Sequence, residues 1–272
     1  MIHQKIELNE IGSKNAFATT YILKTNHELP AKKRPIVVIC PGGGYEYVSY
    51  REDEPVALQY LAKGYNAVVL HYSVYPATYP TALLELGRVI LMLRERADEW
   101  LIDENRIVVM GFSAGGHLAA SYSCFWTKDI LSNTLGCNKA LLKPNGLILS
   151  YPVISSGAYA HRGSFVHLLG DKYDELVEEM SLENQVTEDN PPTFLWHTVT
   201  DNVVPVENSL LFTKALKDRN ISAELHLFSE GCHGLSLANE FTAVNDSQII
   251  PSCQSWVELA HQWMNKIFKT HT

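Results

Sequence analysis

The sequence predicts an α/β fold with a mostly parallel central sheet and helices on both faces. Short continuous apolar runs rich in β-branched residues recur along the chain. Such runs are typical of strands that are buried on both faces of a parallel sheet. Segments of helical length lie between them, and strands that alternate with such helices indicate βαβ units.

The composition is that of a folded globular chain. Of its 272 residues, 46% are hydrophobic and 19% are charged, which excludes intrinsic disorder. We expect one domain over residues 1–272, because a single α/β domain reaches this length without splitting. The net charge of −8 disfavours nucleic acid and anionic membrane surfaces as partners.

Cysteine usage and the N-terminus predict the cellular compartment. The cysteine count is five, an odd number, and no two cysteines have C-x-x-C spacing, so we expect free thiols in a reducing compartment. The first residues contain no basic segment followed by an apolar one, as a secretory signal would. No run of about eighteen apolar residues occurs, so no membrane span is expected. The expectation is a cytoplasmic protein.

The first half of the chain contains the clearest strand signals. Residues 5–8 and 18–24 are expected as two strands separated by a turn. Pro35 opens the apolar run 36–40, and similar runs follow at 67–70 and 107–110. The helices between them are expected at residues 54–63, 81–100 and 116–126. The second of these keeps the 3.6-residue spacing of a core-facing stripe.

The second half continues the pattern after an interruption. Strands are expected at residues 147–149, 194–196 and 222–228, and helices at 206–217 and 252–268. After the strand that ends near Tyr151, residues 154–190 have little strand signal and become acidic. We interpret this segment as a small, partly helical, cap-like insertion at the carboxyl edge of the sheet, too short for a separate domain.

The strongest chemical signal is the sequence Gly111-Phe112-Ser113-Ala114-Gly115. It follows a predicted strand and precedes a predicted helix, which is the context of a G-x-S-x-G nucleophile elbow. A tight turn of this kind projects the serine Oγ above the sheet. Ser113 is therefore the candidate nucleophile.

A serine nucleophile needs a base and an orienting carboxylate, in the chain order serine, acid, histidine. His233 lies in a glycine-flanked loop after the last predicted strand, at the edge where such sheets present functional residues. Asp201 follows the strand that ends at His197. His117, His226 and His261 fall within helices or strands and are interpreted as structural. Asp201 and His233 complete the predicted triad.

The developing oxyanion needs hydrogen-bond donors. Pro41-Gly42-Gly43-Gly44-Tyr45 follows the strand at 36–40, and glycines allow backbone amides to turn toward a site. The expected donors are the amides of Gly43 and Gly44, together with the amide of Ala114. A nucleotide-phosphate loop is disfavoured, because no G-K-[ST] follows the glycines.

These segments resemble the α/β-hydrolase superfamily, and within it the acetyl-esterase/lipase-like group. The resemblance runs from about Pro35 to the C-terminus. One departure is Pro41, which stands where that group has a histidine. A proline there resembles the bacterial xylan-esterase-like branch, which has a glutamate a few residues later. The resemblance implies an α/β-hydrolase fold, a carboxylesterase of small acyl groups such as acetylated sugars, and Glu54 as that glutamate. A helix-terminal role for Glu54 is an equal alternative.

The substrate expected from the residues is a small-acyl ester with a polar alcohol. Loop tyrosines such as Tyr45 and Tyr75 suit sugar or aryl faces, although loop tyrosines also simply pack. The insertion is acidic, unlike the broad apolar lid of a long-chain lipase. His161 and His167 lack metal-ligand spacing, so no metal site is expected, and no cofactor is needed.

Two other functions remain open from the sequence. A small-amide hydrolase or a peptidase of the same fold would use the same triad order. A non-catalytic hydrolase-like binding module would typically have lost a triad member, whereas each position here has a plausible occupant. The sequence also leaves the oligomeric state open, a homo-oligomer included.

Overall fold

A computed structural model describes residues 1–26, 28 and 32–268; the parts of the predicted domain at residues 27, 29–31 and 269–272 lie outside it. The strands are β1 Ile2–Glu7, β2 Phe17–Ile22, β3 Arg34–Cys40, β4 Asn66–His71, β5 Ile102–Phe112, β6 Gly146–Ser150, β7 Thr193–Thr198 and β8 Ala223–Phe228. The α-helices of the described residues are α1 Glu54–Ala62, α2 Thr81–Glu95, α3 Ser113–Phe125, α4 Asp129–Leu135, α5 Arg162–Leu169, α6 Tyr173–Leu176, α7 Glu207–Asp218 and α8 Trp256–Ile267.

The strands form one eight-stranded sheet in the order β1-β2-β4-β3-β5-β6-β7-β8. Along this order, every neighbouring pair in the series β4-β3-β5-β6-β7-β8 is parallel. Strand β2 pairs antiparallel with both β1 and β4. The predicted fold class, a mostly parallel sheet with helices, is confirmed. Because the parallel strands all end at one edge, the loops that follow β3, β5, β7 and β8 meet there.

The core lies on both faces of the sheet. Alternate residues of β3 show this arrangement: Ile36 and Val38 belong to one apolar cluster, and Val37 and Ile39 to the other. The first cluster includes side chains of α2, α3 and α4, and the second includes those of α1 and α8. All four β3 side chains are fully buried. This two-sided burial explains why the strand sequences are continuously apolar rather than alternating.

Several element boundaries differ from those expected from the sequence. The helix expected from residue 116 begins at Ser113, so the nucleophile candidate itself occupies the first helical position. The helix expected over 81–100 ends at Glu95, and residues 97–100 continue as a turn. Helix α4 was not predicted, although Gly136, at φ +64°, ends it in the left-handed conformation that favours glycine.

The segment 154–190 contains two helices, α5 and α6, and short 3₁₀ turns. The 3₁₀ turn Leu182–Asn184 is held to the start of the segment, because the Leu182 amide donates to the Ile154 carbonyl at 3.1 Å. His161, immediately before α5, borders the cavity beside Ser113. The insertion therefore contributes to the wall of the candidate site.

Among the described residues, no helix has the length and apolar character needed to span a membrane.

Candidate active site

The turn between β5 and α3 carries Ser113 in a strained conformation. Its φ of +51° is uncommon for a residue with a side chain, and such strain concentrates at functional sites. Two glycines make the turn possible. A Cβ on Gly111 would lie 2.1 Å from the Gly115 carbonyl oxygen, and a Cβ on Gly115 would lie 2.2 Å from that of Cys40. The chain therefore packs too closely for any larger residue at either position.

The serine hydroxyl meets a histidine from the loop after β8. Ser113 Oγ lies 2.7 Å from His233 Nε2. Gly231 and Gly234 flank this loop with φ of +142° and +73°, which lets the chain turn sharply around the histidine. The His233 side chain is 15% exposed, so it is shielded from most solvent while still bordering the cavity.

The other ring nitrogen of His233 faces a buried carboxylate in the loop after β7. His233 Nδ1 donates to Asp201 Oδ2 at 2.7 Å. The second oxygen, Oδ1, accepts the amides of Val203 and Val204, each at 3.0 Å. Burial by itself raises the pKa of Asp201, but hydrogen bonds from His197 and His233 outweigh it and hold that pKa well below its usual range. Asp201 is therefore an anion that orients His233.

The sequence reasoning assigned no role to His197. Its side chain is fully buried at the end of β7, and Nε2 lies 3.3 Å from Asp201 Oδ2 and 3.0 Å from the Val204 carbonyl oxygen. Its Nδ1 meets Ser209 Oγ at 2.8 Å. His197 thus contacts the same carboxylate oxygen of Asp201 that His233 contacts. The only sequence signal was its place in the strand that leads into Asp201.

The glycine loop after β3 borders the same cavity through Gly43 and Gly44. Gly43 and Gly44 have φ of +126° and +65°, and neither amide has a hydrogen-bond acceptor among the described residues. Their carbonyls are occupied: that of Gly43 accepts the Glu46 amide at 3.0 Å, and that of Gly44 lies 3.0 Å from His167 Nδ1. The Ala114 amide lies in the first turn of α3, where helix amides have no intrahelical partner. A developing oxyanion requires backbone amide donors of this kind.

Three residues predicted as substrate contacts lie outside the cavity at Ser113, and their role in binding stays a prediction. Tyr45 is buried, and its hydroxyl bonds to His117 Nδ1 at 3.0 Å. Tyr75 is exposed, with its ring 5.6 Å from that of His167. Glu54 begins α1 and accepts the Tyr21 hydroxyl at 3.0 Å, on the side of the turn that faces β2. None of the three lines the cavity at Ser113.

That cavity has a volume of about 240 Å³, and both polar and apolar groups line it. Its lining residues are Gly43, Gly44, Glu46, Tyr47, Ser49, Arg51, Glu52, Ser113, His161, Val203, His233 and Gly234. Tyr47 belongs to the loop tyrosines that the sequence suggested for substrate contact. Sequence reasoning missed Glu46, Arg51, Glu52 and His161. The first three follow the glycine loop closely in the chain, and that proximity was the available signal. No sequence feature near His161 indicates that this residue lines the cavity beside Ser113.

A further histidine, His117, lies one turn into α3 and is fully buried. The Met180 carbonyl can only accept, so Nε2 donates to it at 3.0 Å, and Nδ1 accepts the Tyr45 hydroxyl. Burial lowers the pKa of His117 to about 4, because the charged imidazolium would lose its hydration. His117 is therefore a neutral structural residue at neutral pH.

This burial predicts a pH-dependent stability. Between pH 6.5, the ordinary value, and pH 4 the unfolded chain binds a proton at His117 that the folded chain does not. The free energy of unfolding should therefore fall by about 3 kcal/mol over this window as pH decreases. Glutamine at position 117 can accept from Tyr45 and donate to Met180 without titrating. Denaturant unfolding of wild type and His117→Gln should show a steeper pH slope in wild type; parallel slopes would contradict the assignment.

Among residues 1–26, 28 and 32–268, no group of three or more histidine, cysteine, aspartate or glutamate side chains is arranged to hold a metal ion.

The parallel sheet, the strained serine turn and the Ser113–His233–Asp201 hydrogen-bond chain define an α/β hydrolase. The chain belongs to the BD-FAE family, whose model matches residues 24–216. This match includes Ser113 and Asp201 and ends before His233.

Two curated relatives are larger proteins. Endo-1,4-beta-xylanase B of Butyrivibrio fibrisolvens is 38% identical over 213 residues, which are 76% of this chain and 33% of that protein. Acetylxylan esterase of Xylanibacter ruminicola is 28% identical over 231 residues, or 82% of this chain and 45% of that protein. The chain thus spans less than half the length of either.

Two solved structures match over nearly their full length. The acetyl ester-xyloside bifunctional hydrolase from Caldicellulosiruptor lactoaceticus is 36% identical, with a TM-score of 0.81, over 97% of this chain and 96% of that one. A carboxylesterase from Lactobacillus plantarum is 30% identical, with a TM-score of 0.84, over 100% of both chains. These names support a carboxylic ester hydrolase.

Proposed function

We propose that this chain is a serine carboxylesterase that hydrolyses short-chain acyl esters, acetyl esters foremost, with Ser113, His233 and Asp201 as its triad. The observation that carries the proposal is the continuous pair of 2.7 Å contacts from Ser113 Oγ through His233 to Asp201 Oδ2. With its Nδ1 proton donated to the carboxylate, His233 has an unprotonated Nε2 that can accept the serine proton.

The first half-reaction forms an acyl-enzyme. His233 Nε2 takes the proton of Ser113 as its Oγ bonds to the ester carbonyl carbon. The carbonyl oxygen becomes an oxyanion and accepts hydrogen bonds from the amides of Gly43, Gly44 and Ala114. As the intermediate collapses, the bond from carbon to the alcohol oxygen breaks. The alcohol leaves with the proton that His233 had taken, and the acyl group stays on Ser113.

The second half-reaction repeats these steps with water in place of the serine. His233 takes a proton from the water as its oxygen bonds to the acyl carbon, and the same amides hold the oxyanion. Collapse then breaks the bond to Ser113 Oγ, which regains its proton from His233. The carboxylic acid departs and the resting enzyme is restored, so water is the sole co-reactant.

The cavity supports a small acyl group and a polar alcohol. Its volume of about 240 Å³ is below the range of drug-sized pockets, about 300–1,000 Å³. Glu46, Ser49, Arg51 and His161 provide hydrogen-bonding side chains along its walls. Relatives are named for acetylxylan and for an acetyl ester with a xyloside. Acetylated carbohydrate is therefore the alcohol class that we propose.

The size of the cavity predicts a preference for short chains. We expect kcat/KM for p-nitrophenyl acetate to exceed that for p-nitrophenyl octanoate by about tenfold or more, because the longer chain adds six carbons to a cavity of about 240 Å³ that must also hold part of the alcohol. Initial rates with the acetate, butyrate and octanoate esters measure this order. A higher kcat/KM for octanoate would overturn the short-chain proposal.

The carbohydrate part of the proposal has its own test. Acetylated xylo-oligosaccharides are incubated with wild type and with Ser113→Ala, and released acetate is measured by chromatography. Release by wild type alone supports the carbohydrate class. If p-nitrophenyl acetate is cleaved while the acetylated oligosaccharides are not, the esterase proposal stands and the carbohydrate proposal fails.

A further inference from the structure

We propose that Glu52 is a positioning residue that holds the oxyanion loop, residues 42–44, in register with the nucleophile turn. The inference deepens the proposed function and rests on it. Glu52 ends the 3₁₀ turn Tyr50–Glu52, and its side chain borders the cavity beside Ser113 although the residue is only 3% exposed. A carboxylate this deeply buried needs strong hydrogen-bond donors on both oxygens.

Glu52 has such a donor on each oxygen. Its Oε2 accepts the Gly42 amide at 2.7 Å, and its Oε1 accepts the Tyr151 hydroxyl at 2.6 Å. Hydrogen bonds to an ionised acceptor are shorter and stronger than those between neutral groups, and both distances are in that range. The two bonds join the oxyanion loop to the end of the sheet after β6.

The bond to Gly42 determines where the oxyanion donors lie. The Gly42 carbonyl also accepts the Ser49 amide at 3.0 Å, so both of its backbone polar groups are anchored. The free amides of Gly43 and Gly44 follow directly. A Cβ on Gly42 would lie 2.8 Å from Glu52 Oε2 and 3.0 Å from Ser113 Cβ, so the Gly42 backbone sits directly between the carboxylate and the nucleophile. Small displacements of such groups cost large factors in rate.

The bond to Tyr151 extends the connection to the histidine loop. The Tyr151 hydroxyl accepts the Ser236 amide at 2.8 Å, and the Tyr151 ring packs edge-on against His233 with centroids 5.1 Å apart. Ser236 Oγ in turn donates to the Arg51 carbonyl at 2.6 Å. Glu52 therefore connects the loops that carry the oxyanion donors and the base.

The chemistry of these partners explains why a carboxylate is required. The Gly42 amide can only donate. The Tyr151 oxygen already accepts the Ser236 amide, so its own proton needs an acceptor as well. The two donors meet different oxygens, so an amide side chain at position 52 would turn its NH₂ group, which cannot accept, toward one of them. A negative charge beside the oxyanion loop opposes an oxyanion, so the benefit of Glu52 lies in geometry rather than in charge.

The variant Glu52→Gln tests this with two substrates, p-nitrophenyl acetate and its thionoester, in which sulfur replaces the carbonyl oxygen. Sulfur is a poor hydrogen-bond acceptor, so the thionoester gains little from the oxyanion donors. We expect kcat/KM to fall about 10- to 100-fold for the oxygen ester, mainly in kcat, and less than about threefold for the thionoester. The oxygen-to-sulfur ratio therefore decreases. Removal of a repelling charge alone would increase it.

Glu85→Gln is the matched control. Glu85 in α2 is a fully buried carboxylate whose Oε2 accepts the Ser73 amide at 2.7 Å and whose Oε1 accepts the hydroxyls of Ser13 and Ser73. It has the same kinds of donor as Glu52 but does not line the cavity. Its substitution should reduce the free energy of unfolding and leave the oxygen-to-sulfur ratio unchanged.

If Glu52→Gln does not fold, Tyr151→Phe provides the second variant. It keeps the ring against His233 and removes one of the two donors to Glu52, and a ratio lowered about threefold is expected. A ratio equal to that of wild type in the folded variants overturns this inference and leaves the esterase intact. A folded wild type that does not cleave p-nitrophenyl acetate overturns the proposed function and this inference together.

Discussion

Replacing Ser113 with alanine is expected to lower kcat for p-nitrophenyl acetate by about four to six orders of magnitude. The substitution removes Oγ, the atom that lies 2.7 Å from His233 Nε2, and no acyl-enzyme can then form. The backbone at position 113 keeps φ near +51°, which is equally strained for serine and alanine, so the fold should persist. Steady-state hydrolysis and covalent labelling by a fluorophosphonate measure the loss.

Ser123→Ala in the same helix is the control for this variant. Ser123 is buried, its hydroxyl donates to the Ala120 carbonyl at 2.8 Å, and it does not line the cavity. Its kcat should stay within about twofold of wild type, as is usual for a change that touches no reacting group. Activity of Ser113→Ala within tenfold of wild type would mean that another group is the nucleophile. A folded wild type without labelling or turnover would favour a non-catalytic binding module.

Replacing Asp201 with asparagine has the second largest expected effect, a decrease in kcat of about three to four orders of magnitude. Oδ1 accepts two backbone amides, those of Val203 and Val204, so the asparagine must point its oxygen toward them. Its NH₂ group then faces His233 Nδ1. His233 must accept there and carry its proton on Nε2, the nitrogen that faces Ser113, where it can no longer act as a base.

Asp189→Asn is the matched control for this second variant. Asp189 lies before β7, at the opposite end of the strand from Asp201, and its backbone carbonyl accepts the Trp126 indole at 3.1 Å. We expect no change in kcat. Steady-state kinetics of both variants and their thermal unfolding decide the matter. If Asp201→Asn keeps more than about a tenth of the wild-type kcat, a different carboxylate orients the histidine.

The elements nearest the site were predictable because their signals are local. The apolar strand before Gly111 and the small residues after it require a tight turn, and the structure has one, with Ser113 at its apex. Asp201 and His233 follow strand ends, and in a parallel sheet all strand ends meet at one edge. That topological rule, applied to the sequence, is sufficient to bring the three residues to one place.

The substrate contacts were not predictable in the same way. Glu52 and Glu54 are two residues apart, and both are acidic residues near the start of a helix. Which carboxylate enters the site depends on the 3₁₀ turn Tyr50–Glu52, which turns Glu52 inward and leaves Glu54 beside β2. Tyr45 follows the glycine loop, yet its hydroxyl bonds to His117, 72 positions along the chain. The order of residues in the sequence does not show which way the Glu52 or the Tyr45 side chain points.

The sequence by itself determined the fold class and the positions of Ser113, Asp201 and His233, because strand periodicity, glycine turns and chain order are local properties. Tertiary structure alone decided the 2.7 Å contacts among them and the direction of each neighbouring side chain. It also decided that Glu52 meets Tyr151, a residue 99 positions away. Such contacts depend on how the whole core packs, because a shift of any strand or loop would move one partner relative to the other.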